Sequence, residues 1–211
     1  MDYVMRSVRA EEWPLARQLR LDALQDPAAP VAFLDSYEAA VARPDAFWQD
    51  RTAAAAEGGD VRQFVAESPE GEWVGTVTVL IERPEDDVRF GEPAEVNQGH
   101  LVGVFVRPEV RGAGVTDALF RVAVDWAWSL SAPRLERVRL YVHENNPRAA
   151  AFYRRFGFVP SGQRMPVPGP VPGPVPGPVP GQGPGPVPGQ GPGTGTGERR
   201  EWELEYVIER G

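Results

Sequence analysis

Residues 104–119 combine an apolar strand, a glycine turn and the start of a helix, in that order. The turn is Arg111-Gly112-Ala113-Gly114, and Arg107-Pro108 stands before it. The first backbone N–H groups of a helix lack internal partners, and the helix dipole favours negative charge at that end. Because Gly112 and Gly114 have no Cβ, an anionic group can approach the backbone closely. The pattern predicts an anion site, with a purely structural tight turn as the alternative.

Two familiar phosphate-binding loops do not fit this turn. A P-loop needs a lysine, and all 22 basic residues of the chain are arginine. A dinucleotide-binding loop needs a third glycine, and Asp117 stands at that position. The chain has no cysteine and two histidines, His100 and His143, so we expect no metal site.

A second segment, residues 142–158, carries the other candidate chemistry. Its pattern consists of Val142, Asn146, Ala149, Phe152, Tyr153, Gly157 and Phe158. Asn146 lies at the predicted start of a helix, where it is either an N-cap, a ligand contact or both. Tyr153 shares a helix face with Ala149 and is either a core aromatic or a functional phenol. Gly157 is expected to end the helix.

These two segments lie within a chain whose apolar periodicity predicts a mixed α/β fold. Ser68-Pro69-Glu70-Gly71 is expected to form a hairpin turn, and residues 83–98 a polar loop. The predicted strands are 3–8, 62–67, 73–82, 100–106, 137–143, 159–164 and 202–209. The predicted helices are 10–24, 36–56 with an interruption at Pro44, 113–130, and 147–156.

Residues 166–197 differ in composition from the rest of the chain. They hold 12 of the 23 prolines and 11 of the 23 glycines, built on the repeat Pro-Val-Pro-Gly. Collagen needs glycine at every third position, and here the regular spacing is four. PxxP recognition needs prolines three apart, and every proline in the segment has an even number. We therefore expect a disordered insert, either a tolerated loop expansion or a segment with a functional role, such as covering a binding site.

The whole-chain charge excludes one class of partner. The formal net charge is −8 and the isoelectric point is about 4.9, which argues against binding to nucleic acid. The sequence has no signal-peptide pattern and no apolar run long enough to span a membrane. A cytoplasmic protein without a membrane partner, either a monomer or a homodimer, is the expectation.

Taken together, the two segments resemble the GCN5-related N-acetyltransferase (GNAT) family. The resemblance rests on the strand–helix order, the R-G-x-G turn, the N-x-x-A-x-x-F-Y helix and the final G-F-V strand. It implies a single N-acetyltransferase domain over residues 1–211. The implied fold is a mostly antiparallel sheet of about seven strands flanked by helices, with the insert of residues 166–197 between the last two strands.

The resemblance also implies acetyl-CoA as co-substrate, without a metal. Its pantetheine arm would lie along the strand residues Val104, Phe105 and Val106, and Asn146 would be a further coenzyme contact. Thr116 departs from the family pattern, which has glycine or alanine there. The residues implied to hold the pyrophosphate are Arg111, Gly112, Ala113, Gly114, Val115 and Thr116.

The implied activity is transfer of an acetyl group to a primary amine of a small molecule or peptide. By resemblance Tyr153 is the general acid, and Glu95, His100 and Glu38 are candidate bases. Without cysteine a thiol acyl-enzyme is impossible, so direct transfer is the simpler mechanism. The acidic residues of the 83–98 loop either attract a cationic acceptor or form a solvated face. The alternative function is a non-catalytic acyl-CoA sensor or scaffold.

Overall fold

The computed structural model describes residues 2–88, 91–167 and 201–211. The helices are α1 (Trp13–Leu24), α2 (Tyr37–Val41), α3 (Asp45–Glu57), α4 (Val115–Ser129) and α5 (Pro147–Phe156). The strands are β1 (Val4–Ser7), β2 (Val61–Glu67), β3 (Trp73–Glu82), β4 (Gln98–Val106), β5 (Arg137–His143), β6 (Val159–Pro166) and β7 (Trp202–Glu209).

The seven strands form one mixed sheet in the order β1-β2-β3-β4-β5-β7-β6. Every neighbouring pair is antiparallel except β4 and β5, which run parallel. Helices pack on both faces of the sheet. One core lies between the sheet and helices α4 and α5, and another lies between the sheet and helices α1 and α3. The predicted mixed, mostly antiparallel fold is confirmed.

The helix and strand bounds agree closely with the sequence pattern, and the differences have local causes. Residues Ala10–Glu12 form a 3₁₀ turn, so α1 starts at Trp13 with Pro14 in its first turn. Helix α4 starts at Val115 instead of residue 113, because Gly114 has a φ of 81° and cannot continue a helix. Strand β4 starts two residues earlier than predicted, at Gln98.

Most of the predicted insert, from residue 168 onward, lies outside the described residues. The described ends of the flanking strands are held together. Pro166 is paired with Trp202, and the N–H of Val167 donates to the carbonyl of Glu201 at 2.9 Å. The chain therefore leaves β6 and re-enters β7 at neighbouring points of the sheet. Among the described residues, no helix has the length and apolar character that a membrane crossing requires.

Candidate active site

Strand β4 contains a bulge at its middle. Thr76 of β3 faces Phe105 and Thr78 faces Val102, so two β4 residues, Gly103 and Val104, stand opposite one β3 residue. Gly103 has a φ of 62°, which residues with a Cβ rarely adopt. The extra residue reverses the side-chain alternation of the strand.

The reversed alternation decides which face each later β4 side chain reaches. Leu101 before the bulge and Val106 after it are both buried in the core beside α4 and α5, with Val104 packed against them. Phe105 is buried on the other face, beside α1 and α3. In a regular strand Leu101 and Phe105 would share a face, so the bulge is what places Phe105 on the side of α1 and α3.

Strands β4 and β5 separate beyond the bulge. They are paired from Gln98 to Leu101 and from Arg137 to Leu140, and the pairing stops there. The rest of β5 is bonded on its other side to β7. The carboxyl-terminal halves of the two parallel strands thus border an open wedge, and the backbone of residues 102–106 forms one of its edges. An extended ligand can bond to such an edge as an added strand would.

The glycine turn lies at the open end of this wedge, because it follows the carboxyl end of β4. Gly112 and Gly114 have φ values of 86° and 81°, and a Cβ on either would meet no atom within 4 Å. Their glycine character is therefore a requirement of the backbone conformation and not of packing. The surface of the turn is open to solvent.

The turn carries backbone donors that the described residues leave unused. The N–H groups of Arg111 and Ala113 donate within the turn, to Pro108 and Val110. Those of Gly112, Gly114, Val115 and Thr116 donate to no described acceptor. Four unsatisfied amides at the start of a fifteen-residue helix form a site for an anion such as a pyrophosphate.

Two arginines fasten this turn to the end of α1. Arg111 bonds to the carboxylate of Asp26, and its Nε donates to the Val106 carbonyl at 2.9 Å. Arg107 donates to Asp22 at 2.6 Å and to the Trp73 carbonyl at 2.9 Å. The Arg111 side chain is thus engaged within the protein and fixes the turn.

Helix α5 starts at the other edge of the wedge, directly after β5. The side chain of Asn146 accepts from the Ala149 N–H at 3.2 Å, which confirms the predicted N-cap. Its amide also donates to the Val31 carbonyl at 3.3 Å, in the segment between α1 and α2. Gly157 ends the helix in a left-handed conformation, as predicted.

Tyr153 lies in the core that Val104 and Val106 also border. Its ring stacks on Phe120 with centroids 5.6 Å apart, and its hydroxyl makes no hydrogen bond to a described residue. Burial, followed by the nearby charge of Glu203, raises the pKa of Tyr153 above its usual range. The phenol therefore stays protonated at neutral pH, and in this environment it is a weaker acid than a free tyrosine.

Glu203 is a further candidate that no sequence pattern marks, because its properties arise from tertiary burial. It lies on β7 opposite His143, and burial raises its pKa to about 7. Its carboxylate is close enough to Tyr153 for its charge to affect the phenol.

The three predicted base candidates do not lie together. His100 is buried, with Nδ1 at 2.8 Å from the Glu82 carboxylate, which also accepts from Gln98 and Arg139. Burial favours the neutral form of Glu82, but His100 and Arg139 lower its pKa overall. Glu95 is exposed on the loop before β4, and Glu38 is exposed on α2. Their assignment as bases stays a prediction.

A cavity opens on the α1 and α3 face of the sheet, at the bulge. Its floor contains Gly103, Phe105, Thr76 and Thr78, and its volume is about 40 Å³. It therefore reaches the same segment of β4 that borders the wedge from the other side. Neither Glu95 nor His100 lines it.

A family model described as the acetyltransferase (GNAT) family matches residues 19–158, which include the second half of α1, the bulge, the glycine turn and all of α5. The chain belongs to the GNAT acetyltransferase family. No curated protein sequence matches it. Members of this family among solved structures share its fold at low sequence identity.

Three of these structures illustrate the similarity. A GNAT acetyltransferase from Streptococcus pneumoniae has a TM-score of 0.67 at 13% identity, over 99% of this chain and 100% of that one. A phosphinothricin acetyltransferase from Sinorhizobium meliloti, in complex with acetyl-CoA, has a TM-score of 0.63 at 16% identity, over 100% of this chain and 90% of that one. A spermidine N-acetyltransferase from Vibrio cholerae, in complex with CoA and spermine, has a TM-score of 0.61 at 14% identity, over 98% of this chain and 95% of that one.

The bulge can be tested with an alanine. We expect Gly103→Ala to lower the free energy of unfolding by about 1–2 kcal/mol, because a left-handed backbone is strained for any residue with a Cβ. A steric clash is not involved, since the nearest atom to the new Cβ is Thr78 Oγ1 at 3.9 Å. Urea unfolding measures the change.

Gly59→Ala is the matched control for this variant, because its Cβ would meet no atom within 4 Å and its φ is not in the left-handed region. We expect it to leave the stability unchanged or raise it slightly. Equal effects of the two alanines would contradict the role given to Gly103.

The raised pKa of Glu203 predicts a pH dependence of stability. Between about pH 4.5 and pH 7 the folded protein keeps a proton that the unfolded chain has released, so stability falls as the pH rises through this interval. This loss of stability amounts to up to about 3 kcal/mol, since one pKa unit corresponds to about 1.4 kcal/mol, and Glu203→Gln should abolish it. Urea unfolding from pH 4.5 to pH 8 measures it. Glu209→Gln, at the exposed end of β7, is the control, and an unchanged pH profile in Glu203→Gln would refute the assignment.

Proposed function

We propose that this protein transfers an acetyl group from acetyl-CoA to a primary amine by direct attack within a ternary complex. The observation that carries the proposal is the wedge between β4 and β5, which has four unsatisfied amides at its open end. The wedge suits an extended arm that ends in a pyrophosphate. The acetyl-CoA held by the Sinorhizobium relative and the CoA and spermine held by the Vibrio relative support the same donor and an amine acceptor.

Each part of the site has a separate task in this proposal. The amides of Gly112, Gly114, Val115 and Thr116 bind the pyrophosphate. The β4 edge at Val104–106 aligns the pantetheine arm, and one of its N–H groups polarises the thioester carbonyl. Asn146 fixes the start of α5 beside the arm.

Acetyl-CoA supplies an activated acyl carbon when it is bound. The amine nitrogen of the acceptor forms a bond to that carbon, and the carbon–sulfur bond breaks. Tyr153 donates its phenolic proton to the departing sulfur, whose conjugate thiol has a pKa near 8.5. The amine loses its own proton to a base or to water, at a cost of about 4 kcal/mol for a lysine-like amine at neutral pH. The absence of cysteine leaves direct transfer as the simplest mechanism.

The role of Tyr153 can be tested by removing its hydroxyl. We expect Tyr153→Phe to lower kcat by about 10²-fold or more, because the leaving sulfur loses its proton donor. The Kd for CoA should change less than about twofold, since pyrophosphate binding does not use the phenol. Release of free thiol from acetyl-CoA, with a panel of amines, measures kcat.

Tyr206→Phe is the matched control, because Tyr206 is a buried neighbour of Tyr153 whose hydroxyl is occupied by Arg154. It should retain kcat within a few-fold. An unchanged kcat in Tyr153→Phe would refute the general-acid assignment. Coenzyme binding without turnover across a broad amine panel would instead favour the non-catalytic acyl-CoA sensor.

A further inference from the structure

The cavity beside the bulge has a positively charged wall. Arg20 of α1 and Arg51 of α3 line it, opposite the floor formed by β3 and β4. The two residues are brought together by the packing of α1 against α3. A molecule bound in the cavity would therefore touch guanidinium groups at one end and the segment around Gly103 at the other.

The positive charge of this wall exceeds the nearby negative charge. Arg20 and Arg43 share a single carboxylate, Asp35, at 3.7 Å and 2.9 Å. Arg51, an exposed residue of α3, forms no hydrogen bond or ion pair with a described residue. The wall thus carries two guanidinium groups, and its nearest carboxylate, Asp35, is shared with Arg43, which does not line the cavity. The protein as a whole has a net charge of −8.

The charged groups that act on Arg20 confirm this local excess. Burial lowers the pKa of Arg20 to about 10, and repulsion from Arg51 and Arg43 adds to the effect, against attraction by Asp35. A second anionic group at the wall would relieve this repulsion. Guanidinium groups bind carboxylates through paired hydrogen bonds, so a carboxylate is the natural partner.

An indole completes the wall between the two arginines. Trp48 lines the cavity and is buried, and its N–H has no hydrogen-bond partner among the described residues. The ring and Phe105 also give the cavity an apolar side.

We propose that the acceptor is a small amine that also carries a carboxylate, which Arg20 and Arg51 bind while the amine reaches the bulge on β4. The inference rests on the proposed acetyl transfer and narrows its acceptor to the amino acid class. It differs from the cationic acceptor suggested by the acidic loop, whose residues Glu85, Asp86, Glu92 and Glu95 do not line the cavity.

The test compares amino acids with their uncharged counterparts. Thiol release from acetyl-CoA is measured with a panel of α-, β- and γ-amino acids, each paired with its own carboxamide. We expect kcat/KM for the preferred acid to exceed that of its amide by about tenfold or more. In Arg20→Gln and Arg51→Gln, kcat/KM for the acid should fall about 10- to 100-fold, while kcat/KM for the carboxamide should change little.

Two further proteins separate this effect from general damage. Arg20→Lys keeps the positive charge and should retain part of the preference for the acid. Arg121→Gln, at an exposed position of α4, should retain all of it. Equal turnover of acids and amides, or an unchanged preference in both glutamine variants, would overturn the inference while leaving acetyl transfer intact.

Direct binding distinguishes failure of this inference from failure of the proposed function. Isothermal titration with every amino acid of the panel should find at least one whose binding weakens about tenfold or more in Arg51→Gln, with the Kd for CoA unchanged. If the acid binds in this way and no thiol is released, the carboxylate site stands and the transfer reaction is refuted. If no amino acid of the panel binds, the carboxylate site is refuted.

Discussion

The site depends on a backbone constraint in β4, where one extra residue must fit between β3 and β5. Gly103 absorbs that residue in a left-handed conformation, and the strand then presents Phe105 to one face and Val106 to the other. Beyond this point β4 no longer pairs with β5. The same local change thus opens the wedge on one side and supplies the floor of the cavity on the other.

Helix α1 connects these two spaces. Its carboxyl-terminal end holds the glycine turn, through Asp22 with Arg107 and through Asp26, just beyond the helix, with Arg111. Its middle contributes Arg20 to the cavity beside the bulge. A displacement of α1 would therefore move the glycine turn and the cavity wall together, which ties the geometry of the two spaces to one element.

The parts of the site with local signals were predictable from sequence. The left-handed backbone of the turn requires glycine, so the glycines themselves indicate the turn. Pro147 and Gly157 mark the two ends of α5, so the bounds of this helix are predictable. A glycine inside a strand pattern is a known signal of a bulge and would have indicated Gly103. The sequence does not indicate that Arg20 and Arg51 line the same cavity, because this proximity arises from tertiary packing of residues far apart in the chain. The raised pKa of Glu203 has the same origin in burial.

The central claim is that coenzyme A binds in the wedge between β4 and β5, with its pyrophosphate on the glycine turn. The most direct measurement is the change in backbone amide resonances, and in their hydrogen exchange, when CoA is added to the full chain. The account predicts the largest shifts and the strongest protection at Gly112, Gly114, Val115 and Thr116, with smaller changes along residues 102–106. Saturable binding that leaves these amides unperturbed would contradict it.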